Sequence, residues 1–420
     1  MSVPMKRVRS VGIVGAGPAG LALALALEKT GRYDEIAVFD RSDSLRPALG
    51  GGVQLNSGAA VLARLDPKLG DRLAAEAKTA RRVLSRTVGG RTLLDLDLAD
   101  VLRGSPAAVG AGLVDGATVR AHTVMRDALQ SALADSLETE VETGRQVSSI
   151  AAAGGQTRIT FSDGSARTFD LVAGCDGVRG AARGAGRPAV NSLLGKRTRI
   201  RWGVAPGGAR AADDELHQWF GPDGAYCLAA SYGGRDGKSY DQCVLVTPAD
   251  AGDAAAPGWD DAASARVRGA MVDGLTAGGF PADVVDLAKS CDRCFELDAE
   301  YLNPLPAWRG EGGCVLLGDA AHAMPPFLGQ GANQAVQDAY ALATALADLD
   351  RGAHEDLDAA LGAYEAGRKV PVSILGFNSV VLGAVETLLP EVARDAFFLT
   401  TGTLGVARAV FLNGAIPKVL

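Results

Sequence analysis

Basic residues are outnumbered, 42 Lys and Arg against 49 Asp and Glu, for a net charge of −7 and a pI near 5.3. That balance lacks the electrostatic footprint of a nucleic-acid-binding protein. Aromatic residues make up only 5% of the chain, and there are four histidines. The six cysteines are scattered, at 175, 227, 243, 291, 294 and 314. Cys291 and Cys294 form one C-x-x-C, but a zinc site needs a second pair and none follows. We therefore expect no metal site, and scattered thiols suit a reducing compartment. No uncharged segment reaches a convincing membrane-spanning length. The nearest, SILGFNSVVLGAV, is interrupted by Glu386. Lys6, Arg7 and Arg9 precede VGIVGAGPAGLALALALEK in a way that superficially resembles a signal peptide, but Gly and Pro break that run in its middle. A cytoplasmic protein is expected.

What is present is length and apolar content. With 420 residues, 47% of them hydrophobic, the chain can form two domains or one large one with a substantial core. It opens strand, turn, helix, strand: VGIV, then Pro18 to Lys29 with Gly31 as the stop, then IAVFD. Residues 41–60 are glycine-rich and read as an extended loop. SRTVGG and TLLDLDL read as strands turning at Gly89-Gly90. HTVMRDALQSALADSL, from His122, reads as an amphipathic helix. ITFSDGSARTFDLVAGCDG reads as a hairpin around Asp163-Gly164 that leads into a buried strand. From Lys196 to Asp250 the pattern turns strand-like and gathers Trp202, Trp219, Phe220, Tyr226, Tyr232 and Tyr240, which suggests an antiparallel second domain. Residues 257–290 read as helical. The α/β pattern then returns with GCVLLGD and a helix from Ala332, and the tail from Pro371 is mostly helical. The second domain is thus inserted in the first.

Gly15-Ala16-Gly17-Pro18-Ala19-Gly20 is a G-x-G-x-x-G between a strand and a helix, and Asp40 ends the next strand at the spacing of a ribose-binding acid. Gly15 permits a tight turn, Gly17 lets a pyrophosphate approach the backbone, and Gly20 lets helix and strand pack closely. The helix start then offers free N–H groups to phosphate. Gly184-Ala185-Gly186 fits the pattern loosely, but no strand precedes it and Pro188 follows, so it reads as a loop.

A second segment, GDAAHAMPPFLGQGAN, puts Asp319 just past a buried strand, where ligands of open α/β sheets sit. Pro325 and Pro326 stiffen the chain, Gly329 and Gly331 let the backbone approach a flat ligand, and a second helix start points into the same crevice. One pyrophosphate needs one helix start. A second suits a ligand with another electron-rich part, such as the ring of reduced flavin, whose ribityl chain would also give Asp319 its hydroxyl partners. The reading is FAD in preference to NAD.

Together these segments resemble the single-component FAD-dependent aromatic hydroxylases, the salicylate-hydroxylase-like and tetracycline-monooxygenase-like flavoprotein monooxygenases. GAGPAG with Asp40-Arg41, DLVAGCDGVRGAAR with Asp176, Gly177 and Arg183, and GDAAHAMPPFLGQGANQAVQDA match in order. Arg126 in MRDALQSAL matches the family's arginine, and HQWFGPDGAYCLAASYGG resembles its substrate-domain strand pair. The resemblance covers nearly the whole chain to about residue 370. Cys175 departs from the family's usual alanine.

The resemblance implies an α/β fold: a Rossmann-like, glutathione-reductase-like FAD-binding domain with an inserted antiparallel-sheet substrate domain and a helical C-terminal tail. The FAD-binding parts would be 1–85, 105–188 and 291–370; substrate-domain strands 86–104; the main substrate domain 189–290; and C-terminal helices 371–420. Gly15, Ala16, Gly17, Pro18, Ala19, Gly20, Asp40, Arg41 and Arg126 would hold the ADP half of FAD, Asp319 its ribityl chain, and Pro325, Gly329, Gly331, Ala332 and Asn333 its ring. Asp176 belongs to the motif that the family links to both FAD and NAD(P)H. NAD(P)H would be met transiently, which leaves NADH against NADPH open. The implied activity is hydroxylation or epoxidation of a small to medium aromatic or polycyclic substrate with O2, through a flavin C4a-hydroperoxide, in natural-product tailoring or aromatic catabolism.

A base that deprotonates a phenolic substrate would come from few residues. His217 and Tyr226 are the candidates, while His322 reads as structural and His122 is a further possibility. Trp202, Trp219, Tyr226, Pro326 and Phe327 are candidates for the substrate pocket. Other readings are a flavin-dependent halogenase, against which the halogenase Trp-x-Trp-x-Ile-Pro segment is absent, a non-oxygenating flavin oxidoreductase, and a non-catalytic binding protein such as the prenylated-GTPase escorts. Neither a nucleic-acid nor a membrane partner is expected, though an apolar tail could dock on lipid; the chain would be a monomer or homodimer.

Overall fold

The computed structural model describes residues 7–45, 50–184, 190–192, 197–208, 214–249, 255 and 259–419. Down the chain the elements that build the site are β1 (Ser10–Val14), α1 (Pro18–Glu28), β2 (Glu35–Phe39), β3 (Gly52–Leu55), α2 (Ser57–Leu65), β4 (Arg82–Thr87), β5 (Thr92–Asp97), β6 (His122–Met125), α3 (Arg126–Ala134) and β7 (Leu171–Gly174). There follow β8 (Arg197–Pro206), β9 (Glu215–Phe220), β10 (Tyr226–Gly233), β11 (Ser239–Ala249), α4 (Asp261–Ala277), α5 (Ala282–Ser290), β12 (Arg293–Asp298) and β13 (Cys314–Leu316). The last are α6 (Asp319–His322), α7 (Gly331–Asp350), α8 (Leu357–Leu388), α9 (Glu391–Thr403) and α10 (Val406–Ala415). Gly184 lies among the described residues; 185–189, which hold the rest of the loose glycine motif and the 188/189 boundary, do not, and neither does Lys196.

The first sheet runs Val141–Glu142, β2, β1, β7, β13 and Arg309–Gly310, parallel except for its last pair. Its central strands, β1, β7 and β13, are largely apolar on both faces, as helix-covered strands must be. Helix α1 shows the same logic. Leu and Ala alternate along it, Ala19 to Leu27 are all buried, and it packs between this sheet and α7. Gly20 makes that fit possible, because a Cβ there would land on the carbonyl oxygen of Gly15.

The second sheet orders β12-β8-β11-β10-β9-β4-β5, with β6 and β3 carried off β10. It is antiparallel apart from β9 on β4 and the single β10–β6 bridge. β9 therefore reaches back to residues 82–87 as a parallel partner, which links the inserted segment to the N-terminal third.

Three local expectations change. Residues 41–60 are not one loop: Gly52–Leu55 forms β3, and α2 begins at Ser57 behind Asn56. His122–Met125 is a strand and not the first turn of a helix. All four residues are buried and pair with Leu55 to Gly52, so the β-branched Thr-Val core of the segment overrides its helical spacing. The helical tail does not start at residue 371, because α8 runs unbroken through Pro371. The proline removes one N–H from the helix, and the packing of α8 on α7 offsets that loss.

One buried cluster joins these layers. Asp338 on α7, fully buried, accepts from His322 Nε2 at 2.6 Å and from Arg368 Nε at 2.8 Å. Its Oδ2 also accepts from the backbone N–H of Gly318 at 2.8 Å, and Gly318 turns there at φ +58°. Arg368 in turn donates to Gln334 Oε1 at 2.7 Å. Burial pushes the Asp338 carboxyl up, but His322 and Arg368 outweigh it and hold the group below its ordinary value. His322 is thus structural, as its position in a packed turn suggests. Asp338→Ala leaves three buried donors, on His322, Arg368 and Gly318, without their shared acceptor, and the expected loss is about 3–5 kcal/mol. Chemical denaturation measures it, and a loss under about 1 kcal/mol would overturn this account of the cluster.

Candidate functional site

The loop between β1 and α1 is anchored from two sides. Asp40 accepts from the Ala16 N–H at 2.9 Å and from the Ser42 N–H at 2.8 Å. Gln130 on α3 donates to the Ala16 carbonyl at 2.6 Å. No side chain caps α1 at Gly17, and the space above Gly17 is open for 4 Å. Arg41 and Arg126 are exposed, with Arg126 following β6 and its side chain next to Gly50. Asp176 accepts from the Ala182 N–H at 2.9 Å and so shapes its own turn.

The second helix start is α7. Gln330 does not cap it with its side chain, so the first N–H groups of α7, at Gly331, Ala332 and Asn333, lack helical acceptors. Asp319 stands exposed at the start of α6, against Gly331. Two uncapped helix starts with an exposed carboxylate near the second match an anionic pyrophosphate, a polyol and an electron-accepting ring. The residues present therefore fit FAD.

Two residues expected at the ring are turned elsewhere. The Asn333 side chain is fully buried, and both its ends are used. Its Oδ1 accepts from the N–H groups of Asn56 and Gly58, and its Nδ2 donates to Gln54 and Gly329 carbonyls. Only its backbone N–H is left for a ligand. Pro325 is buried, and its carbonyl accepts from Ser379 at 2.6 Å, whereas Pro326 lines open space.

That space is a cavity of about 550 Å³ between the second sheet, the 324–332 loop and helices α8 to α10. Trp202, Tyr226, Pro326 and Phe327 line it, together with Asp319, Gly329, Gly331 and Ala332. Trp219 and His217 do not. Along β9, Leu216 and Gln218 face the cavity, so His217 and Trp219 point to the opposite face, as strand alternation requires. Trp219 packs with Val267, Met271 and Leu275 of α4, and the His217 ring stacks on Trp219 at 5.4 Å. His217 is thereby removed as a base acting in this cavity. Burial, with Arg120, pushes buried His122 down to about 4, and it lies outside the cavity wall. Tyr226 stays a phenol, because burial and then the Glu386 carboxylate hold its hydroxyl well above its ordinary range.

One acid of the cavity wall was not among the residues expected from the sequence. Glu386 on α8 lines the cavity and is 3% exposed. Its Oε1 accepts from Gln218 Nε2 at 2.8 Å, and Gln218 Oε1 accepts from the Ser85 hydroxyl at 2.8 Å. The signal was visible as the one charge that interrupts SILGFNSVVLGAV. Burial pushes the Glu386 carboxyl up to about 7, tempered by Gln218, Tyr226 and the Arg394 charge. Among the described residues, Asp319 and Glu386 are the charged groups of the cavity wall, and no Arg, Lys or His joins them. Gln54, Tyr232 and Gln242 were also missed; the Gln242 amide oxygen accepts from the Gly52 N–H at 3.0 Å. No cluster of three His, Cys, Asp or Glu among the described residues is placed to hold a metal, and all six cysteines are free and buried.

Comparison with known proteins agrees with this architecture. Residues 306–373 match a family described as FAD binding domain, and residues 13–73 one described as NAD(P)-binding Rossmann-like domain. The chain is 30% identical to 3-amino-4-hydroxybenzoate 2-monooxygenase of Streptomyces cremeus over 374 residues, 85% of this chain and 82% of that protein. It is 30% identical to kynurenine 3-monooxygenase of Xanthomonas euvesicatoria over 381 residues, 86% of this chain and 76% of that one. The fold superposes on Klebsiella pneumoniae HpxO complexed with FAD and uric acid with a TM-score of 0.77 at 21% identity, covering 97% of both chains. The protein belongs to the single-component FAD-dependent aromatic monooxygenases. It is an FAD enzyme that draws on NAD(P)H and O2.

The Glu386 carboxyl also gives a stability signature. Its folded-state value is raised from 4.5 to about 7. Its contribution is therefore fully present below 4.5 and is lost as pH rises through about 7. Unfolding free energies of Glu386→Gln and the parent protein, measured by chemical denaturation from pH 5 to pH 8, should diverge in favour of the variant, by up to about 3 kcal/mol at the alkaline end. A difference that stays flat over this range would show that Glu386 is already ionised throughout.

Proposed function

We infer that this monooxygenase acts on an apolar, multi-ring aromatic substrate that carries no carboxylate. The observation behind this is the cavity wall, which is apolar and aromatic with two acids and no cation among the described residues. A benzoate-type anion there would lose its hydration without gaining a counter-charge. The relatives named for 3-amino-4-hydroxybenzoate and kynurenine act on acids; this chain differs from them in the substrate it receives.

Bound FAD, reduced by NAD(P)H, supplies the activation of O2 and the delivery of one oxygen atom to the substrate. The chain's residues do the rest. The uncapped start of α1 and Arg126 hold the ADP half, and Asp40 accepts from its ribose. Asp319 accepts from the ribityl hydroxyls. The first N–H groups of α7 stabilise negative charge on the ring, as a helix start does. Phe327, Trp202 and Leu228 exclude water from the reacting face. Asp176 and the turn it shapes belong to the motif that serves FAD and NAD(P)H. Residues of the first sheet form the FAD-binding unit and those of the second the substrate unit. Free thiols fit a cytoplasmic location.

Two experiments test this reading. Asp319→Ala should keep the fold, seen by circular dichroism, and lose most of its bound FAD, seen by the visible spectrum; full flavin occupancy would remove Asp319 from the site. With the parent enzyme, NAD(P)H consumption should rise with 2-naphthol and not with salicylate. Stimulation by salicylate alone would overturn the substrate assignment.

A further inference from the structure

A carboxylate in an apolar wall is an expense that the fold alone does not explain. The described wall is built from Ile200, Leu228, Val244, Phe397 and Phe398 among others, and a leucine at 386 would complete it. Instead the chain places an acid there and orients it. The Ser85 hydroxyl donates to the Gln218 carbonyl oxygen, which fixes which end of that amide is which. The Gln218 NH2 is then left to donate to Glu386 Oε1. Glu386 Oε2 has no hydrogen-bond partner and is buried. The Tyr226 hydroxyl is a hydrogen-bonding neighbour of the carboxyl, and the residue lines the same cavity.

Buried acids of this kind are paired or they are waiting for a partner. The Arg394 charge acts on Glu386, but Arg394 is already engaged: it donates to the Gly221 carbonyl at 2.9 Å and pairs with Asp395 at 3.2 Å. No cation lines the cavity among the described residues. The arrangement combines an oriented carboxylate with the aromatic rings of Tyr226, Trp202, Phe327 and Phe398 in the same cavity wall. That combination recognises an ammonium group, through one ion pair and through ring faces that attract cations.

We propose that Glu386 selects the substrate by pairing with a protonated amine on it, so that the enzyme takes an amine-bearing polycyclic aromatic. This rests on the reading of the cavity as one for substrates without a carboxylate, and it adds a sign to that reading. Gln218 and Ser85 act as positioning residues, since each reaches the substrate only through Glu386.

Three probes separate the possibilities, the isosteric pair 2-(2-naphthyl)ethylamine and 2-(2-naphthyl)ethanol and the similarly sized 2-naphthylacetate, each titrated into the FAD-loaded enzyme by calorimetry at pH 8. The expected order is amine, alcohol, acid, with the amine bound about tenfold or more tighter than the alcohol. In Glu386→Gln the amine-to-alcohol ratio should fall to about one, while Glu386→Asp should keep part of it. The ratio cancels any general damage to the pocket, and the parent enzyme's own preference needs no variant. Equal affinity for amine and alcohol with a weak acid would overturn the role of Glu386 and leave the uncharged-substrate reading intact. A preference for the amine that persists in Glu386→Gln would do the same. Tightest binding by the acid, or binding of none of the three, would overturn both.

Discussion

The buried pairing of Asp338 with His322 and Arg368 is the constraint on which the site depends. Each partner belongs to a different element. Asp338 lies on α7, His322 on α6, and Arg368 on α8, while Gly318 ties in the end of the first sheet. Asp319, the exposed acid, follows Gly318 directly, and the uncapped start of α7 is two turns before Asp338. A low-dielectric cluster of opposite charges is rigid when every member is satisfied and costly when one is not. The cofactor-facing loop inherits that rigidity without spending its own polar groups on it, which leaves Asp319 and the first N–H groups of α7 open to a ligand.

The second sheet then decides what the cofactor meets. Its strands present one face to the cavity and the other to α4 and α5, and the register of β9 alone assigns Leu216 and Gln218 to one side and His217 and Trp219 to the other. A slip of one residue would exchange them. The parallel pairing of β9 with β4 sets Ser85 opposite Gln218, so an N-terminal strand orients an amide from the inserted segment. The acid it serves comes from the C-terminal helices. Three distant parts of the chain thus meet in one hydrogen-bonded line.

The FAD half of the site was legible because its signals are local. GAGPAG, Asp40 and the Asp319 to Asn333 segment each carry their geometry within a few residues, and helix starts need no knowledge of the rest of the fold. The buried role of the Asn333 side chain was not legible, since its partners Asn56 and Gly58 sit at the cap and first turn of a helix hidden in a glycine-rich stretch. The substrate half was poorly legible. Trp219 and Trp202 look alike in sequence, and only strand register separates the core residue from the wall residue. Glu386 was visible as an interruption in an apolar run, but its meaning depends on Gln218 and Tyr226, far away in the chain. His122 shows the limit of periodicity: four residues that fit a helical spacing became a strand because β3 lay beside them.

Helix α8 deserves a last consideration as a ruler. It carries Arg368, locked under the cofactor loop, and Glu386, in the far wall of the cavity, on one unbroken rod. Each residue added between them would turn Glu386 by about 100° and push it about 1.5 Å along the axis. The acid would turn out of the cavity, and the buried residues beyond the insertion would turn out of the core with it. The length of the segment between Arg368 and Glu386 is therefore fixed at both ends, by the buried cluster at one and by the cavity wall at the other.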